Sequence, residues 1–258
     1  MIVLLGGTSE GRELFRRLQD RAFPCLMSVA SNYGKKLLQA LPQTSASQVR
    51  VGKLPARDME KMLQEFRAEL LVDATHPFAV EVSRNAMQAA WKVGVPYLRL
   101  EREKEEVPDH PLIFQLSELN ELSGVVQDEE VIFSTLGSNH LEQLVSLLQN
   151  ENCRLICRVL PQSEVLRKGE DLGLNASQLV ALPGPFSRAL NRELFRHFNA
   201  SWMVTKESGS SGGQQDKIKA ALDLGIKVAL WLRPKLDYPQ VCHSVEEVLK
   251  HMQNYNKI

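Results

Sequence analysis

The chain has 258 residues, 43% of them hydrophobic and 24% charged, an ordinary globular makeup that suits one large domain or two small ones. A chain of this length needs no disulfide or metal staple to form a core. Thirty-one basic residues balance thirty-one acidic ones, which argues against a general polyanion binder, nucleic acid included, but permits local basic pockets.

The first run, Ile2–Leu5, is continuously apolar and reads as a buried strand. The segment Glu10 to Leu18 then spaces Leu14, Phe15 and Leu18 at helical intervals. Met1–Leu5 reaches its glycines too soon for a signal peptide, and no run of ~18 apolar residues occurs anywhere, so a cytoplasmic protein without a membrane span is expected. Cys25–Val29 and Leu70–Val72 read as further strands, and Ala79–Val93 as a helix ended by Gly94 before a strand at Pro96–Leu100. The charged stretch 101–106, followed by Pro108, is poor core material and divides the chain into domains at 1–108 and 109–258. The rhythm then restarts. Strands are expected at Val131–Ser134, Leu155–Val159, Leu179–Leu182, Trp202–Thr205 and Lys227–Leu232. Helices are expected at Leu141–Leu148, Ser187–Phe198 and Gln214–Leu224, with a last helix capped by Ser244 and Glu247. Such alternation implies α/β architecture, two Rossmann-like units of parallel sheet wrapped by helices. The four cysteines, Cys25, Cys153, Cys157 and Cys242, are too scattered for a disulfide framework and read as reduced thiols.

Four motifs carry chemistry. Gly6-Gly7-Thr8-Ser9-Glu10-Gly11 lies between the first strand and the first helix. It matches G-x-G-x-x-G except at Thr8. Gly6 suits the tight turn, Gly11 the close helix packing, and the N–H groups at the helix start suit a pyrophosphate. After the second strand no acid stands ready for a ribose 2′-hydroxyl. Ser31 and Lys35 are there instead, and such groups can accept a 2′-phosphate, favouring NADPH with NADH left open. Asp73-Ala74-Thr75-His76-Pro77-Phe78 follows a strand, at the edge where open sheets bind ligands, with Thr75 or His76 as a cap and Pro77 in the first helical turn. His76 titrates near neutrality and is a candidate proton donor in a reduction. Thr205–Gly213 is again a strand-to-helix loop, whose glycines and serines can form an anion nest beside Lys206 and Lys217. Gly184-Pro185-Phe186-Ser187 reads as a rigid turn with Ser187 as N-cap. No pattern points to a metal or to a serine hydrolase.

Together the stretches LLGGTSEGREL, VDATHPFA, VPYLRLER, STLGSNHL, ALPGPFSRALN, VTKESGSSGG and the LRP at Leu232–Pro234 resemble the precorrin-6A and cobalt-precorrin-6A reductases of cobalamin biosynthesis, in order and over nearly the whole chain. The resemblance implies two Rossmann-like domains, between which a strand can be exchanged. It also implies hydride transfer from NAD(P)H to a ring double bond of a tetrapyrrole bound in a cleft between them. The expected nucleotide contacts are Gly6, Gly7, Thr8, Ser9, Glu10, Gly11, Ser31, Lys35, Asp73 and Thr75. The expected substrate contacts are His76, Phe78, Arg99, Lys206, Ser208, Gly209, Gly212, Gly213 and Arg233, with Arg158 a further strand-end cation for the substrate's carboxylates. Without the resemblance, a SAM-dependent transferase or a non-catalytic nucleotide sensor would remain open. A monomer is compatible with all three.

Overall fold

The computed structural model describes residues 1–39, 46–149, 151–209 and 212–255. Two units emerge, residues 1–103 with 234–258, and residues 104–233.

The first unit is built on a six-stranded, all-parallel sheet of β1 (Ile2–Leu5), β2 (Cys25–Val29), β3 (Ser47–Val51), β4 (Leu70–Asp73), β5 (Tyr97–Leu100) and β12 (Val241–Cys242), in the order β12-β5-β4-β1-β2-β3. Its helices are α1 (Ser9–Asp20), α2 (Asn32–Gln39), α3 (Ala56–Glu65), α4 (Val80–Val93) and α9 (Val245–Tyr255). The continuous apolar runs follow from burial of both sheet faces. Ile2, Leu4, Cys25, Met27 and Val72 pack against Leu14, Phe15 and Leu18 of α1 and Val248 and Met252 of α9. Val3, Leu5, Leu26 and Leu71 face the other way, onto Met59, Met62 and Leu63 of α3 and Ala86, Ala89 and Ala90 of α4. The order reverses between β1 and β4, so the carboxyl ends of those two strands form the switch point where such sheets hold ligands.

The second unit repeats the plan with β6 (Ile113–Leu116), β7 (Val131–Ser134), β8 (Arg154–Val159), β9 (Leu179–Ala181), β10 (Trp202–Lys206) and β11 (Lys227–Trp231), in the order β6-β11-β10-β7-β8-β9, again all parallel. Its helices are α5 (Leu141–Leu148), α6 (Ser163–Asp171), α7 (Arg188–His197) and α8 (Gln214–Leu222). Phe133, Met203 and Val228 of the sheet pack on Phe195 of α7 and Ile218 of α8. The switch point here lies between β7 and β10.

The expected division after residue 108 needs correction at its far end. Residues 234–258 belong to the first unit, because β12 pairs with β5 and α9 closes the core over α1. The connectivity is reciprocal. After β5 the chain supplies β6 to the second sheet, and after β11 it supplies β12 to the first. Each sheet's sixth strand is thus an exchanged one. The cysteines are all free, three of them buried, with burial raising Cys25 to about 11 and Cys157 to about 12.

Candidate functional site

At the first switch point the chain leaves β1 through Gly6, whose N–H donates to the Ser28 carbonyl at 2.8 Å. A Cβ on Gly6 would stand 2.4 Å from the buried Met27 sulfur, so close approach to β2 demands glycine there. The backbone strain falls on Gly7 instead, at φ 154°, where a Cβ would meet nothing within 4 Å. Thr8, standing where the motif has its middle glycine, turns inward. Its Oγ accepts from the Gly11 N–H at 3.1 Å, capping α1, and donates to the Ala74 carbonyl at 2.9 Å. A Cβ on Gly11 would lie 3.1 Å from that of Ala74, so the expected close packing of helix on the β4 edge is present. Among the described residues the N–H groups of Gly7, Thr8 and Ser9 have no backbone or side-chain acceptor. Three donors at a helix start, next to an exposed glycine, suit an anion such as a pyrophosphate. The Glu10 carboxylate takes hydrogen bonds from Arg102 at 2.9 Å and Ser9 at 3.2 Å.

Beside this turn, at the end of β2, Ser31 and Lys35 are exposed, and the Ser31 Oγ accepts from the Gly34 N–H at the start of α2.

The loop after β4 differs from expectation in several side chains. Asp73 is fully buried. One carboxylate oxygen accepts from the Thr75 N–H, the Thr75 hydroxyl and Arg99 Nη1 at 2.7–2.9 Å; the other accepts from the Ser83 and Tyr97 hydroxyls at 2.6 and 2.8 Å. These bonds make the Asp73 side chain and the Thr75 hydroxyl a brace for the loop. Arg99 is part of the same buried network. Its side chain is 0% exposed, paired with Asp73 and with Glu101 at 2.9 Å each, and lies 5.1 Å over the Tyr238 ring. Burial works against its charge, but Asp73 and Glu101 outweigh that and hold the guanidinium above its ordinary value. Burial, then Asp73, pushes the Tyr97 phenol up, so it stays a donor. Neither Thr75 nor His76 caps the next helix, since α4 starts only at Val80, after a turn holding Pro77. His76 is half-buried beside Phe78, and its Nδ1 accepts from the Phe78 N–H at 3.2 Å. That bond leaves the proton of the neutral ring on Nε2.

At the second switch point, half-buried Lys206 ends β10, and burial lowers it to about 8. Ser208 is buried with its Oγ lacking a hydrogen-bond partner among the described residues, Gly209 (φ 71°) donates its N–H to the Gln214 carboxamide, and Gly213 (φ 62°) opens α8. Gly212 sits so close to Ser208 that a Cβ would meet its Oγ at 2.2 Å. Residues 210 and 211 of the motif lie outside the described residues. Arg233 is 5% exposed, its Nε donates to the Glu207 carbonyl and its N–H to the Glu207 carboxylate, each at 3.0 Å, so it braces the loop from within. The Gly184–Ser187 turn has the expected Ser187 cap on α7 and a further use: Phe186 lies 4.6 Å under the Arg158 guanidinium, which also donates to buried Asn191.

Lys217 and His140 are the residues whose settings the sequence left unread. Lys217 is 5% exposed, and burial, then Arg158 and Lys206, bring it down to about 7. His140 stands edge-on to Trp231 at 4.9 Å, and burial, then Lys206, lowers it to about 4, keeping it neutral. Among the described residues no group of three His, Cys, Asp or Glu could hold a metal, and no helix is long and apolar enough to cross a membrane.

The chain is 32% identical to the cobalt-precorrin-6A reductase of Methanocaldococcus jannaschii over 98% of each chain, and 32% identical to that of Priestia megaterium over 100% of each. The solved structure of CobK precorrin-6A reductase superposes with a TM-score of 0.81 at 25% identity, covering 98% of this chain and 96% of that one. The family model for precorrin-6x reductase CbiJ/CobK matches residues 1–253. With both sheets, both switch points and this full-length likeness in place, the chain belongs to the precorrin-6x reductase CbiJ/CobK family, and it is a reductase.

Proposed function

We propose that this reductase transfers hydride from a nicotinamide nucleotide, NADPH in preference to NADH, to a ring double bond of precorrin-6A or its cobalt complex. The observation that carries the nucleotide assignment is the row of N–H groups at Gly7, Thr8 and Ser9 at the first switch point, which have no acceptor among the described residues. Those groups would hold the pyrophosphate, with Gly6 and Gly11 bringing β1 and α1 close enough to shape the turn. Exposed Ser31 and Lys35, with no acid between them and β2, favour a 2′-phosphate over a free ribose hydroxyl. When bound, the nucleotide supplies the hydride.

The chain's own residues bind, orient and handle the proton. Phe78 and the His76 ring present a surface beside the nucleotide turn, and His76, protonated on Nε2, can donate there. In the second unit Lys206, Ser208, Gly209, Gly212 and Gly213 would contact the carboxylate-bearing rim of the macrocycle. The rival readings, a SAM-dependent transferase and a non-catalytic sensor, do not accord with membership of a reductase family. The test is anaerobic turnover of precorrin-6A and of its cobalt complex with NADPH or NADH, following nucleotide oxidation and a two-hydrogen mass gain. Gly7→Ala, which adds a methyl where nothing packs, should weaken nucleotide binding while the fold persists. No turnover with either tetrapyrrole, or unchanged affinity in Gly7→Ala, would refute the respective part.

A further inference from the structure

The turn proposed for the pyrophosphate carries a negative charge of its own. Glu10 stands in the first turn of α1, directly after the N–H groups of Gly7, Thr8 and Ser9. An acid there favours the empty helix, because it complements the positive end of the dipole. The same charge opposes any anion the turn receives. The carboxylate is held at both oxygens: Oε1 accepts from Arg102 Nη1 at 2.9 Å, and Oε2 accepts from the Ser9 hydroxyl at 3.2 Å. The Arg102 and Glu10 side chains are only 13% and 24% exposed, so this is not a freely solvated surface pair.

Arg102 comes from 92 positions along the chain, just beyond β5. The residue before it is fixed on three sides. The Glu101 N–H donates to the Cys242 carbonyl, the Glu101 carbonyl meets His243 Nδ1, and the Glu101 carboxylate accepts from Arg99 Nε, each at 2.9 Å. The guanidinium is therefore delivered to Glu10 by the β5–β12 pair and the buried Asp73–Arg99 network. Its place is the one turn of α1 where a bare carboxylate would oppose a ligand.

We propose that Arg102 is a positioning residue for the nucleotide: it cancels the Glu10 charge and holds the carboxylate aside, keeping the N–H row at Gly7–Ser9 open to the pyrophosphate. Without the guanidinium, the carboxylate repels the phosphates and gains the freedom to fold back onto those N–H groups as an internal cap. Both effects need the negative charge on Glu10, and neither needs Arg102 to touch the ligand. The inference rests on the placement of the nucleotide at this turn.

The full chain is titrated with NADPH by calorimetry in four forms: wild type, Arg102→Met, Glu10→Gln and the double variant. Arg102→Met should weaken binding about tenfold, as expected of one uncovered like charge near the surface. Glu10→Gln should bind as tightly as wild type or more so, and the double variant should return to within about threefold of wild type. Melting temperatures register the tie between α1 and the 101–103 segment, which the double variant does not restore. Affinity that returns without stability is the signature of masking. A double variant as weak as Arg102→Met overturns the proposal, because Arg102 would then meet the nucleotide itself or act only through the fold. Weakened binding in Glu10→Gln overturns it as well, whether or not Arg102→Met folds. Gly7→Ala tests the underlying reading separately. Unchanged affinity there removes the nucleotide from this turn and the proposal with it, whereas weakened binding there beside full affinity in Arg102→Met refutes the proposal alone.

Discussion

Removal of the Arg99 guanidinium by Arg99→Met separates an internal role from a substrate contact. The side chain is fully buried, with Nη1 2.9 Å from Asp73 and Nε 2.9 Å from Glu101. Methionine fills much of the volume but leaves Asp73 with a buried negative charge and only hydroxyl and amide donors, from Thr75, Ser83 and Tyr97. Breaking a buried pair from one side costs about 3–5 kcal/mol. For a chain of this size that converts to a fall in melting temperature on the order of 10 °C. Asp73→Asn should cost a comparable amount from the other side. The double variant Asp73→Asn/Arg99→Met should cost less than the sum, because no charge is then left behind. Urea and thermal unfolding give the cycle. Steady-state kinetics well below the transition should show an unaltered KM for the tetrapyrrole. A stability loss under about 1 kcal/mol together with a raised KM would show that Arg99 meets the ligand after all, and the internal assignment would fall.

Thr8→Val deletes both hydrogen bonds of the α1 cap; it should cost about 1–2 kcal/mol in unfolding experiments and loosen nucleotide binding, and a variant as stable as the parent would contradict the capping geometry. Ser31→Asp should weaken NADPH more than NADH, since only the former brings a phosphate against the new charge; equal losses would put the 2′ position elsewhere. For Lys217, folding lowers the pKa to about 7 from an ordinary 10.5, so the unfolded chain holds more protons in that window. Its cost to stability is therefore full below pH 7 and shrinks as the pH rises toward 10.5. Thermal unfolding followed across that window should show stability rising with pH, and Lys217→Met should flatten the rise.

The elements legible in the sequence are those whose burial is complete. β1, β2, β4, β7, β10 and β11 each carry a run of three or more consecutive apolar residues because helices cover both faces, and their ends were readable to within a residue or two. The edge strand β3 has the sequence Ser-Gln-Val-Arg-Val and is only partly buried, so its pattern is diluted, and β12 is two residues long. β6 and β12 are also defined by partners more than a hundred residues away, which no local period reveals. At the candidate site the glycine turn was legible because its chemistry is local. What the sequence could not show is the burial of Asp73, Thr75, Arg99 and Arg233, polar residues at strand ends, where it cannot say whether a side chain turns to solvent or into the sheet edge. Lys217 was read as a charge beside the anion nest, but its burial was not legible, because nothing local marks a lysine on a helix as buried.

The exchanged strands bear on how the chain is made. The second unit is one continuous span, 104–233, and its sheet is complete without any residue from the last 25. The first unit cannot finish in that way. When its first 103 residues have emerged, β5 is an open edge, and Leu14, Phe15 and Leu18 of α1 lack the apolar face of α9. The segment made first therefore matures last, reversing the usual amino-to-carboxyl order of domain completion. In the interval its unpaired edge is exposed to other nascent chains.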